Sequence, residues 1–283
     1  MNRPGRRFAW FVMGIAAAFP LEALVASPPP RPVTLEQRVA AQRAIEEVYW
    51  RHRLWPEQNP GAKPALSSVL PERLIVQRAE DGVRMSLALE RLWRRPITAA
   101  HLQAELRRMA RETRKPEVLA ELFAALGNEP TAVAEHLARP LLAGRLLRTF
   151  YQRDRRVHGV LRAQAESERR GVAGVAHLKA LGGAYDEIEW ALEERPDRPA
   201  NLLAPDGARR VGLPGAEWRA KLEELSGAFG VAAGGTLPVG TASGVLEDDA
   251  RFFVVAILSR GQDRVRVATV SWAKEPFEEW WAR

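Results

Sequence analysis

Cysteine is absent from all 283 residues of this chain. Its absence excludes structural disulfides, thiolate zinc sites, a cysteine nucleophile and a lipid attached to cysteine. Histidine is scarce, and the residues His52, His101, His136, His158 and His177 are far apart with no i,i+4 pairing. We therefore expect no metal site.

Complete cofactor motifs are also lacking. Gly235–Thr241 has the glycine spacing of a phosphate-binding loop, but the lysine that should follow Gly240 is missing. Pro238 removes a backbone N–H donor from the same segment. We interpret the segment as a glycine-rich connection and expect no cofactor.

Lysine supplies only five of the 42 basic residues, which face 35 acidic residues and give a net charge of +7. The basic residues are scattered among acidic ones, as in Glu166–Arg170. A nucleic-acid-binding face would cluster them and interleave aromatic residues. We therefore do not expect nucleic acid as a partner, and the charge favours peripheral association with acidic membranes or cell-envelope polymers.

The apolar run near the start of the chain is too short to span a membrane comfortably. It covers Phe8–Phe19 and has 12 residues, whereas a membrane-spanning helix needs about 20. It follows an arginine-rich start and precedes Ala26 and Ser27, where a signal peptidase would cleave. We predict a secretory signal peptide over 1–27, a proline-rich linker over 28–33, and a periplasmic or secreted protein. An uncleaved anchor is the alternative.

Helical periodicity dominates residues 34–170. Thr34 and Gln37 form a capping-box pattern at the start of a long helix. Thr98 can cap a later helix, and Pro116 suits the first turn of the next one because its missing N–H is not needed there. Short helices with wide apolar faces are unstable alone, so we expect them to pack together.

Further along, we expect Thr131 to cap another helix and Pro140 to kink it. After Gly171 the pattern changes to alternating apolar residues and glycine-rich turns. Strands are predicted at Tyr185–Leu192, Arg251–Leu258 and Val265–Trp272, and a helix at Ala216–Phe229. The predicted fold class is α+β, with a mostly helical N-terminal domain followed by a small antiparallel α+β domain.

Two parts of the sequence resemble the SurA/PrsA type of exported peptidyl-prolyl isomerase and chaperone. Residues 34–151, above all Arg95–Thr98 and Ala138–Leu147, resemble its N-terminal chaperone domain. Val239–Leu258 is similar to the last hairpin of a parvulin-type prolyl isomerase domain. The resemblance therefore covers both predicted domains.

The resemblance implies a SurA-N-like helical domain over 34–170 and a reduced parvulin-like domain over 171–283. It implies an exported folding chaperone that binds unfolded or extended apolar polypeptide clients. Parvulins place histidines in their first and last strands, whereas Tyr185–Leu192 has none and Phe253 stands where the second would fall. We therefore expect weak or absent isomerase catalysis, with catalytic residues unknown. An active parvulin-type isomerase and a non-enzymatic envelope scaffold are the alternatives.

Aromatic residues are the candidates for contacting a client peptide, because rigid aromatic side chains bind well. Packing in the core is the competing interpretation and is commoner for tryptophan. The peptide-binding candidates are Trp50, Trp55, Trp93, Phe123, Phe150, Tyr151, Phe252 and Phe253.

Overall fold

The fold is given by a computed structural model. It describes residues 33–59, 61–172, 174–193, 209–232 and 234–283, and the backbone alone of 201–203. The predicted signal peptide and all of the predicted linker except Val33 lie outside these residues. Within the described parts, no helix combines the length and apolarity needed to cross a bilayer.

Contacts divide the chain into two units, 1–147 and 148–283. The described part of the first unit is helical, and its last helix runs past the division. Its elements are α1 (Leu35–His52), α2 (Leu66–Val69), α3 (Glu72–Trp93), α4 (Ala99–Glu112), α5 (Pro116–Ala125), α6 (Pro130–Val133), a π-helical turn (Ala134–Ala138) and α7 (Arg139–Gln152).

The predicted helix starts at Thr34, Thr98 and Pro116 are confirmed. The Thr34 hydroxyl accepts from the Gln37 backbone N–H at 3.2 Å, and the Gln37 side chain accepts from the Thr34 N–H at 3.0 Å. The Thr98 hydroxyl caps α4, with His101 completing a second capping box. Pro116 is the first residue of α5.

The predicted cap at Thr131 is wrong. The Glu129 carboxylate accepts from the backbone N–H of Thr131 at 3.0 Å and from that of Ala132. Pro130 opens α6. Because proline lacks an N–H and takes the first helical position readily, the cap falls on the residue before it.

Pro140, where we expected a kink, is the second residue of α7 and lies two residues after the end of the π-helical turn. Proline cannot donate a backbone hydrogen bond, and the wider turn accommodates that missing donor. Its ring packs on α3 at Gly82, where an added Cβ would lie 3.2 Å from the Cβ and Cγ of Pro140. Glycine therefore permits the close contact between α3 and α7.

The first unit divides its apolar residues among small cores. The core around α1 and α5 contains Ala41, Ile45, Val48, Val118, Leu122, Leu126, Val133 and Leu137. A second core around α4 and α7 contains Leu102, Ala134, Ala138 and Leu142. Burial of each large aliphatic side chain stabilises the fold by about 1.5–3 kcal/mol.

The second unit is built on a six-stranded sheet of order β2-β3-β1-β6-β5-β4. Its strands are β1 (Ala184–Leu192), β2 (Asn201–Leu203), β3 (Arg209–Leu213), β4 (Leu246–Glu247), β5 (Arg251–Arg260) and β6 (Arg264–Ala273). Its helices are α8 (Arg155–Arg170), a 3₁₀ segment (Val175–Ala180), α9 (Gly215–Ala228) and α10 (Phe277–Ala282).

The predicted α+β class is confirmed, but the sheet is mixed and not wholly antiparallel. β1 and β3 are parallel, with Trp190 opposite Val211. All other neighbouring strands are antiparallel. The chain reverses direction at β2, so β3 runs the same way as β1.

Both faces of the sheet are covered at β5. One face buries Phe252, Val254 and Ala256 together with Ala165 of α8. The other face buries Val255 and Ile257 against α9. Because α8 packs on the sheet, contacts assign it to the second unit, whereas the sequence prediction placed the domain boundary after residue 170.

Candidate polypeptide-binding site

The end of α1 carries an aromatic side chain at the edge of its buried face. Ile45 and Val48 are 4% and 0% exposed, whereas Tyr49 is 44% exposed. Successive residues of a helix point about 100° apart, which places Tyr49 beside the buried face and not within it. Its ring therefore forms a surface between neighbouring helices.

The first groove, here called the α1–α5 groove, has a volume of about 270 Å³. It lies where α1, α4 and α5 meet, and its walls are mainly apolar. Its apolar lining residues are Tyr49, Met109, Val118, Leu119 and Leu122, and its polar ones are Arg108, Glu112, Thr113 and Lys115.

The second groove, here called the α1–α2 groove, has a volume of about 500 Å³. Its floor includes buried Leu66, and its rim includes Val69, which is 47% exposed. The lining residues are Glu46, Tyr49, Trp50, His52, Arg53, Leu66, Val69, Leu70 and Arg78. This groove is more polar than the first.

Tyr49 lines both grooves. Burial raises the pKa of its hydroxyl, and the nearby Glu46 carboxylate raises it further. The phenol therefore stays protonated at neutral pH and can donate a hydrogen bond to a carbonyl group. A segment that crosses this ring would contact both grooves.

Several charged groups beside the grooves are held in ion pairs. Glu46 pairs with Arg78, and Arg108 pairs with Glu105 at 2.6 Å and with Glu112 at 2.9 Å. Hydrogen bonds from arginine side chains, Arg111 first and then Arg108, lower the pKa of Glu112. Exposed pairs of this kind add little stability, but they neutralise the carboxylates next to the apolar walls.

Trp50 and Trp55 lie together and brace the loop that follows α1. Their ring centroids are 6.3 Å apart at an interplanar angle of 67°. The indole N–H of Trp50 donates to the carbonyl oxygen of Pro64 at 2.9 Å, and that of Trp55 to Gly61 at 3.3 Å. The Lys63 ammonium lies 4.8 Å from the Trp50 ring centroid. Trp50 thus both supports this loop and lines the α1–α2 groove.

The other predicted contacts in the helical region lie outside the two grooves. Phe123 packs against the core around α1 and α5. Trp93 is half-buried in the last turn of α3, and Phe150 is half-buried in α7. The structure does not bring these three rings together with Trp50 at either groove.

The remaining candidates belong to the second unit. Tyr151 and Phe252 are 1% and 2% exposed, which leaves their rings no surface for a peptide. Phe253 points to the opposite face from Phe252 and packs on the core beneath α9. Its ring is also covered by the Arg251 guanidinium at 4.9 Å.

Sequence reasoning missed most of the groove. It assigned no binding role to Tyr49, Met109, Leu119 or Val69. Apolar periodicity identifies a face of a helix, but it does not tell which part of that face a neighbour covers. One available signal was Tyr49 itself, an aromatic residue at the edge of the apolar face of α1.

The described residues contain no group of three or more side chains arranged to hold a metal ion. Strands β1, β5 and β6 contain no histidine in their sequences. No family model, curated protein or solved structure matches this chain. Groove geometry is therefore the basis for assigning a function.

Proposed function

We propose that this protein is an exported folding chaperone of the SurA/PrsA type that binds extended, apolar segments of non-native polypeptides. The observation that carries the proposal is the pair of open grooves that share Tyr49 as a wall. The scaffold alternative expects the helices to bury their apolar faces in one another, and the open grooves argue against it.

The shape of the grooves favours an extended segment. Side chains of an extended chain alternate, with about 6.6 Å between those on one side, so one segment can place a side chain on each side of the Tyr49 ring. Each buried aliphatic side chain contributes about 1.5–3 kcal/mol. Ordering the segment costs about 1–2 kcal/mol per residue. The balance gives weak, reversible binding, as a chaperone requires.

Charge adds a preference among clients. The chain carries a net charge of +7, and Arg53 and Lys115 line the grooves. A basic protein attracts acidic polypeptides over a distance of about 8–10 Å at physiological salt. Clients with acidic residues beside an apolar segment should therefore associate faster, and added salt should reduce that advantage.

An aggregation assay tests the proposal. A chemically unfolded client is diluted into buffer with the purified full chain, and light scattering is followed. We expect suppression at a near-stoichiometric ratio. If several-fold molar excess has no effect on scattering, the proposal is wrong.

Two variants locate the binding surface. Tyr49→Ala removes the shared wall, and a loss of about 1 kcal/mol of binding energy raises the amount needed for half-suppression about fivefold. Leu35→Ala is the matched control, since Leu35 is 46% exposed on the same helix and about 21 Å from Tyr49 along its axis. Circular dichroism confirms that both variants fold. Equal losses in the two variants would show that the grooves are not the binding surface.

A further inference from the structure

A buried cluster of polar groups lies inside the second unit. The Lys274 side chain is 2% exposed. Its ammonium donates to the carbonyl oxygens of Gln152 at 2.6 Å and Asp248 at 2.8 Å, and to the Glu247 carboxylate at 2.8 Å. Lys274 thus ties the segment after β6 to the end of α7 and to the β4–β5 turn.

His158 of α8 belongs to the same cluster. The residue is 4% exposed, and its Nε2 has no hydrogen-bond partner among the described residues. The ring borders a cavity of about 10 Å³, which is about the space that one water molecule needs. His158 is therefore a buried titratable group, and a proton on its Nε2 would have no hydrogen-bond acceptor among the described residues.

Tyr151 connects His158 to the C-terminal segment. The His158 and Tyr151 rings are 4.8 Å apart in an edge-to-face arrangement. The Tyr151 hydroxyl donates to the Glu275 carbonyl oxygen at 2.8 Å. The Tyr151 ring also lies 5.6 Å from Phe277 and 4.7 Å from Trp280. Tyr151 thus lies between His158 and α10 and contacts both.

We propose that His158 is an acid-sensitive latch on the C-terminal segment. While the imidazole is neutral, it holds Tyr151 against residues 274–282. A proton on its ring places a second positive charge in the buried cluster that already contains the Lys274 ammonium, and the segment carrying α10 is released.

The surroundings of His158 favour its neutral form. Burial is the largest cause that lowers the pKa of His158, and the charge of Lys274 is the next. A backbone hydrogen bond with Tyr151 and the carboxylates of Glu247 and Asp154 act in the opposite direction but do not reverse the shift. The titratable and charged groups around the ring are Tyr151, Arg153, Asp154, Arg155, Arg162, Glu247 and Lys274.

The direction of the pH dependence follows from this lowered pKa. Once the segment opens and His158 meets water, its pKa returns to about 6.5. The open form therefore binds more protons than the closed form as pH falls through that value, and the opening equilibrium constant rises. Between pH 7.5 and 5.5 the rise is up to about tenfold for one histidine.

Hydrogen exchange on the full chain measures this effect. Opening constants of the amides in residues 275–282 are determined from pH 7.5 to 5.5 and corrected for the intrinsic pH dependence of exchange. We expect a rise of up to about tenfold in the natural protein. In His158→Gln we expect this rise to disappear, because glutamine takes up no proton.

His177→Gln is the matched control, because His177 is an exposed histidine of the same unit. This variant should keep the full pH response of residues 275–282. An unchanged pH response in His158→Gln overturns the proposal. If His158→Gln does not fold, nuclear magnetic resonance titration of the histidine rings in the natural protein decides. A His158 pKa at or above about 6.5 contradicts the latch, and a lower one supports it.

Discussion

The two units bury their apolar residues in different arrangements. The helical unit buries small separate clusters and leaves Tyr49, Leu54 and Val69 at 44%, 89% and 47% exposure. The sheet unit covers both faces of β5 and β6, and it encloses polar groups such as Lys274 and His158 within its interior. On the proposed function, the first arrangement offers surface to another polypeptide, whereas the second suits a unit held closed by its own contacts.

Geometry explains the difference. Helices touch along ridges of side chains, and grooves remain where α1 meets α4 and α5 and where α1 meets α2. The side chains of a strand alternate between the two faces of a sheet, so helices on both faces cover a central strand completely. The contrast predicts that loss of an internal polar contact has its largest effect on the stability of the sheet unit. In the helical unit, substitutions at the grooves should have their largest effect on polypeptide binding.

The largest effect is expected at Lys274. Lys274→Met removes the ammonium and leaves two carbonyl oxygens and the Glu247 carboxylate without its three hydrogen bonds. Breaking a buried charge pair costs about 3 kcal/mol. Hydrogen exchange of the β5 and β6 amides should show this loss of protection, while the amides of α1 and α3 stay unchanged.

Lys221→Met provides the control. Lys221 forms an exposed i,i+3 pair with Glu224 at 2.6 Å on α9, and such a pair is worth about 0.3–0.5 kcal/mol. If Lys274→Met and Lys221→Met lose similar amounts of amide protection, the interior polar contacts do not stabilise the sheet unit as we infer.

Glu105 tests whether the helical unit also depends on a buried charge. Its side chain is 2% exposed and pairs with Arg108 at 2.6 Å and with Arg145. The hydrogen bond from Arg108 is the largest cause that lowers the pKa of Glu105. Because the folded pKa lies below the unfolded one, the ionised group contributes stability above about pH 4.5, and this is lost as pH falls through the folded pKa.

Glu105→Gln should therefore cost about 2 kcal/mol at pH 7. The difference from the natural protein should shrink below about pH 4.5, as measured by hydrogen exchange of the α4 amides. Glu112→Gln is the control, because Glu112 shares Arg108 but is 48% exposed. A loss at Glu105 that is independent of pH would contradict the role of its charge.

Local sequence signals predicted most of the fold. Caps such as Thr34 and Thr98 and the apolar pattern of β5 depend on near neighbours, so they can be recognised in the sequence. The parallel pairing of β1 with β3 and the packing of α8 on the sheet depend on contacts far apart in sequence, which periodicity does not encode.

The candidate site was less predictable than the fold. Trp50 was chosen because it is aromatic, and it does line a groove, but Tyr151 and Phe252 were chosen on the same ground and are buried. Residue type alone does not distinguish an aromatic ring in a core from one at a surface. The distinction depends on which neighbouring helix or strand covers the ring, and that is a property of the tertiary structure.

The smallest effects come from two helical glycines and test how tightly each unit packs. Among the described residues, no atom outside its own helix lies within 4 Å of a Cβ placed at Gly159 of α8, whereas a Cβ at Gly82 would lie 3.2 Å from Pro140. Gly159→Ala should stabilise its unit by about 0.5–1 kcal/mol through reduced backbone entropy of the unfolded chain. At Gly82→Ala, crowding against the rigid proline ring should cancel or exceed that gain. Hydrogen exchange of the α3 and α8 amides, measured at increasing urea concentrations, gives the change in stability for each variant separately. An equal gain at both positions would mean that the α3–α7 contact has room to relax, and the helical unit would then be loose within its core as well as open at its grooves.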